Sequence, residues 1–108
     1  MANTFVNARA ALTGSLATIY TAPGGTTTIV LLAQATNVDN SAPQAVTFCW
    51  YDSSGSVKTD LVKELSVPAN AAVGLLAGRL VLETGDYLQA SSTAGSLVEL
   101  SLSFLEMT

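Results

Sequence analysis

Apolar and polar residues alternate along most of this chain with the period of a β-strand. The closing stretch VELSLSFLEM shows it most plainly: Val98, Leu100, Leu102 and Phe104 fall on one parity, and Glu99, Ser101 and Ser103 on the other. Successive strand side chains point to opposite faces of a sheet, so the first set is expected to face a core. AVTFCWY repeats the pattern, with Val46, Phe48 and Trp50 opposed to Thr47, Cys49 and Tyr51. In TTTIVLLAQATNV both parities are apolar, Ile29, Leu31 and Ala33 on one and Val30 and Leu32 on the other. That predicts a central strand covered on both sides, one of them by a neighbouring subunit. TDLVKELS is ambiguous. Leu61, Val62 and Leu65 have helical spacing behind Asp60, whereas Leu61, Leu65 and Val67 would line a strand face. The proline that follows Val67 favours the strand.

Turn-forming residues separate these runs at short intervals: APGG at 22–25, NVDNSAP at 37–43, DSSGS at 52–56, VPANAAVG at 67–74, TGD at 84–86 and STAG at 92–95. Glycine supplies positive φ, proline a fixed φ, and Asn, Asp and Ser local hydrogen bonds. About seven or eight short strands punctuated in this way predict an all-β chain, an antiparallel β-sandwich of jelly-roll-like form. No linker or repeat divides it, so residues 16–108 are expected to form a single domain. The preceding segment 1–15, MANTFVNARAALTGS, is expected to be either the first strand or an arm that orders against a neighbour.

Composition narrows the chemistry. The 108 residues contain no histidine and one cysteine, Cys49, which removes the usual proton shuttle, a cysteine-rich zinc site and an intrachain disulfide. Four basic against eight acidic residues give a net charge of -4. Arg9, Lys58, Lys63 and Arg79 are scattered, so neither a nucleic-acid footprint nor a polybasic membrane patch is expected. The start lacks the basic and apolar regions of a signal peptide, and runs such as IVLLA are far short of the roughly 20 residues of a spanning helix. A chain made in a cytosol without export is the expectation. Apolar residues nevertheless make up 49% of the sequence, with a mean hydropathy of +0.44. A domain of this size buries only about two-thirds of its unfolded surface, so part of that apolar surface is expected to meet other chains.

Few residues offer themselves as a site. Glu83 and Asp86 flank Thr84–Gly85, and an aspartate after glycine ordinarily accepts backbone N–H groups and pins a turn; a weak cation site is the alternative. Tyr87, following Gly85 and Asp86, is placed as a corner tyrosine bonded back to backbone. Trp50 is expected in the core, and Tyr51 as an exposed or interfacial aromatic. DNS at 39–41 and DSSGS could bond a sugar but read first as loops. PGG lacks the lysine, spacing and helix of a phosphate loop, and no serine has a histidine to activate it. No catalytic, cofactor or metal residues are assigned, and an enzyme is not expected.

The segments IYTAPGGTTTIVLLAQATNVD, VTFCWYDSS, VPANAAVGLLAGRLVLETGDYLQASS and LVELSLSFLE together resemble a family of small tailed-bacteriophage virion proteins, especially from phages of aquatic bacteria. The resemblance covers nearly the whole chain from Leu16. It implies a β-sandwich that decorates the capsid or sits as an accessory part of the tail, located in the virion and without catalytic residues. The partner would be the major capsid protein or another virion protein, and the chain would form a homotrimer or other homo-oligomer. The expected interface residues are Phe5 and Arg9 in the N-terminal segment, Val30 and Leu32 in the doubly apolar strand, and Tyr51. The rival readings are a tail, neck or fibre component and a carbohydrate- or receptor-binding module using Tyr51, Asp52 and the adjacent serines.

Overall fold

Residues 2–93 and 95–108 are described by a computed structural model; Met1, and Ala94 of the STAG turn, lie outside them. Among the described residues nine strands follow one another: β1 (Asn3–Ala11), β2 (Ala17–Thr21), β3 (Thr27–Asn37), β4 (Gln44–Asp52), β5 (Val57–Val67), β6 (Ala72–Gly74), β7 (Leu80–Leu82), β8 (Tyr87–Ser92) and β9 (Val98–Met107). They form two antiparallel sheets. The first has the order β1-β9-β3-β6, with β7 also on β3, and the second the order β2-β8-β4-β5. β6 pairs with Gln34–Thr36 and β7 with Thr28–Val30, so the two short strands act as one interrupted edge. Chain neighbours lie in different sheets except for β4 with β5 and β6 with β7, and these two strand orders are those of a jelly roll.

The core lies between the sheets. β9 supplies Val98, Leu100, Leu102 and Phe104, all buried, while Glu99 and Ser101 are exposed. From the other sheet come Val46, Phe48 and Leu88. Trp50 packs against this cluster half-buried. Asn37, fully buried, gives its amide to the carbonyls of Ala42 and Val67, each at 3.0 Å, and accepts from the Asp39 N–H at 2.8 Å. An unpaired amide there would cost free energy; satisfied, it ties the β3–β4 loop to the end of β5.

Two departures from simple alternation reset the inward face. Against β9, the register of β3 shifts between Val30 and Leu32. The inward set is therefore Thr28 and Val30, then Ala33, Ala35 and Asn37. The expected grouping of Val30 with Leu32 is corrected: Val30 is wholly buried, whereas Leu32 is 43% exposed. The side of β3 expected to lie under a neighbour is open in the single chain. In β5 the register against β4 shifts twice, and Glu64 sits at φ 51 with its N–H on the Thr47 hydroxyl at 3.1 Å. These shifts bring Leu61, Val62 and Leu65 all toward the core. The strand thereby carries apolar spacing that imitates a helix. It ends at Val67, ahead of Pro68.

Segment 3–11 is a strand laid along β9 in unbroken register, from Asn3 opposite Met107 to Ala11 opposite Glu99. Val6, Ala8 and Ala10 lean on the core.

Candidate assembly surface

Three regions gather the residues singled out in the sequence. The first is the loop end built by 22–26, 53–56 and 83–86. Gly85 takes φ 88, the left-handed value that the third position of a type II turn needs, and Asp86 closes the turn by donating its N–H to the Glu83 carbonyl at 2.9 Å. Asp86 is 1% exposed. Its Oδ1 accepts from the Ser53 N–H at 3.0 Å and the Ser53 hydroxyl at 3.2 Å; its Oδ2 accepts from the Glu83 N–H at 3.0 Å and Trp50 Nε1 at 3.4 Å. Burial pushes this carboxyl up, but these donors together outweigh it and hold the group below its ordinary value. Carboxylate oxygens of Asp52, Glu83 and Asp86 lie within 4.8 Å of one another. Asp52 Oδ1 is itself bonded by Ser54 and Gly55. With both Asp86 oxygens occupied by donors, the arrangement joins loops.

The second region is the outer face of the β2-β8-β4-β5 sheet. Tyr87 does not turn a corner: its ring stacks on Tyr51, its direct cross-strand partner, with centroids 4.6 Å apart and planes at 14°. The strand parity decides this, because Leu88 and Ala90 take the core positions of β8 and leave Tyr87 outside. Thr21 and Lys58 continue the row on either side. Cys49 lies in the next row, buried, its thiol directed at the Gln89 carbonyl at 3.7 Å and pushed up by burial. Beside it Lys58 and Asp60 pair at 3.7 Å. This face is polar with one aromatic pair.

The third region is the outer face of the other sheet, and it is different in kind. Phe5 stands opposite Leu105, Leu105 opposite Ile29, and Ile29 opposite Val81. One apolar row therefore crosses β1, β9, β3 and β7. Its ends are open, Phe5 at 76% and Val81 at 51% exposed, and Leu32 adjoins it at 43%. A hollow lined by Phe5, Val6, Asn7, Leu31, Ser103 and Phe104 runs beside it. Arg9 lies exposed two rows along β1, opposite Ser101. Of the expected interface residues, the structure thus sets Phe5, Leu32 and Arg9 on one face, puts Tyr51 on the opposite face and removes Val30 to the core.

Sequence reasoning missed Leu105, Ile29 and Val81 as members of one row. The outward parity of Leu105 in β9 was legible, but the alignment of the three depends on register. It also missed Tyr20, which stacks on Phe104 at 3.9 Å and shares hydrogen bonds with buried Thr28 and with Glu106. Burial first, then the Glu106 carboxylate, push its hydroxyl up to about 12.

No protein-family model and no curated protein matches this chain. Its likeness is to solved structures. A chain of the acid-stable capsid of Helicobacter pylori bacteriophage KHP30 matches with TM-score 0.60 at 13% identity, over 100% of this chain and 89% of that one. A chain of the Bacillus endospore appendages, described as disulfide-linked pili, matches with TM-score 0.54 at 17% identity, over 96% and 85%. A chain of the infectious bursal disease virus particle matches with TM-score 0.56 at 7% identity, over 96% of this chain but 30% of that one. At these identities the likeness establishes the fold: this chain has the jelly roll found in capsid proteins.

Proposed function

We propose that this chain is a structural subunit of a bacteriophage particle that decorates the head and cements it by bridging neighbouring capsomers. The observation that carries the reading is the apolar row Phe5–Leu105–Ile29–Val81, four strands wide and open at both ends on a capsid-type jelly roll. Contiguous exposed apolar surface of this kind marks an association site. The partner is the major capsid protein, and the mechanism is mechanical. An interface of about 800 Å² per partner is standard, and it would take roughly a seventh of the 5667 Å² surface. At about 25 cal/mol per Å² of apolar area, less the ordering cost of association, several such contacts oppose the separation of capsomers. Heating complete particles and particles lacking this protein tests the role. The reading expects earlier genome release from the particles that lack it; equal release temperatures contradict it. A copy number far below that of the major capsid protein would point instead to a tail, neck or fibre position.

A second reading is favoured by the Tyr51–Tyr87 stack beside Asp52 and the serine loop, which could seat a sugar ring. Glycan-array binding lost in Tyr51→Ala supports it, and no binding by the native chain counts against it.

A further inference from the structure

We propose that two copies of this chain join edge to edge through β1, antiparallel about Asn7, so that their β1-β9-β3 sheets run on as one. This goes beyond the particle reading and does not depend on it.

The sheet edges differ in how they are protected. Unpaired strand edges invite pairing, and proteins blunt them with short strands, charges, prolines and bulges. β6 and β7 are three residues each. β2 has five residues and a register shift. β5 is long but carries Lys58, Asp60, Lys63 and Glu64, two register shifts and Pro68 at its end. β1 has none of these devices. It runs nine residues in unbroken register, with no proline and one charge, Arg9.

The ladder fixes which groups are free. Leu12 donates to the Val98 carbonyl and Thr108 to that of Ala2, each at 2.9 Å, continuing the β1–β9 ladder at both ends. Bonded pairs alternate along an antiparallel ladder, so the even residues of β1 turn their backbone groups to β9. The N–H and C=O of Asn3, Phe5, Asn7, Arg9 and Ala11 point to the open edge.

Self-pairing suits this strand in one register. Centred on Asn7, all nine residues of each copy pair, Asn7 meets itself, and Phe5 meets Arg9 of the second copy. The only charge on the strand then lies against an aromatic ring, a favourable contact. Centring on Arg9 would oppose two guanidiniums. Centring on Phe5 would pair only Asn3–Asn7 of each strand. The outer faces of the two sheets end up on the same side, which extends the apolar surface.

Sedimentation velocity at tens of micromolar reads the outcome. The native chain is expected at twice the 11.1 kDa chain mass, and Asn7→Pro, which removes an N–H that β9 does not use, at the single-chain mass with its circular dichroism retained. Charge substitutions give a second readout should that variant fail to fold. Phe5→Lys, facing Arg9 of the second copy, dissociates the pair, whereas Phe5→Glu keeps it. Asn7→Cys forms a disulfide-linked dimer, since paired Cα atoms about 5.5 Å apart fall within disulfide reach. A native monomer at these concentrations, a dimer indifferent to the Phe5 charge, or a failure of Asn7→Cys to cross-link overturns the proposal.

Discussion

At the scale of single residues, Asp86 concentrates more of the structure than any other polar side chain of the loop end. Its carboxylate ties Ser53 after β4, Glu83 after β7 and Trp50 within β4. Removing it strands four part-buried donors, so Asp86→Ala is expected to cost about 2–4 kcal/mol in chemical denaturation. The pH dependence follows from the lowered carboxyl. Its contribution is fully present above the ordinary value of 3.8 and is lost as pH falls through the lower folded value. Melting curves across that acid range should therefore decline more steeply for the native chain than for Asp86→Asn. Gly85 is constrained twice over: it holds φ 88, and a Cβ there would meet the Ser53 hydroxyl at 2.9 Å. Gly85→Ala is expected to destabilise by about 1–3 kcal/mol, read from the shift in denaturation midpoint.

At the scale of elements, the outcome turns on bulges. β9 and β4 could be read almost residue by residue, because an unbroken strand keeps its period and the core selects one parity. β3 and β5 could not. β3 carries one extra residue and β5 two, each swapping the inward face, and nothing local in IVLLA or LVKEL marks where they fall. That is why Val30 looked like a partner of Leu32 and why β5 resembled a helix. The Tyr87 placement failed for a related reason: GDYL fits a corner, but the parity of β8 is set by Leu88 and Ala90. Register across strands, and so the apolar row itself, is a long-range property that alternation along one segment does not carry. A pair of substitutions separates the two faces of β3. Val30→Ser buries an unpartnered hydroxyl and should cost about 2–3 kcal/mol, whereas Leu32→Ser should stay within about 0.5 kcal/mol.

For the whole molecule, the two outer faces divide the work. The β2-β8-β4-β5 face is polar, with its Lys58–Asp60 pair and a stacked aromatic couple. The other face carries the apolar row, and the long unblunted edge of β1 adjoins it. Three of the exposed large apolar residues, Phe5, Leu32 and Val81, lie on that side. Phe5→Ser combined with Val81→Ser should leave the melting temperature nearly unchanged, both side chains being exposed, while lowering retention on purified particles at least tenfold, measured by co-sedimentation. The most direct measurement is a cryo-electron-microscopy map of the intact particle. The account predicts many copies across the head lattice, with Phe5, Leu105, Ile29 and Val81 covered by capsid protein. Copies whose row faces solvent, or a head lattice without this chain, would contradict it.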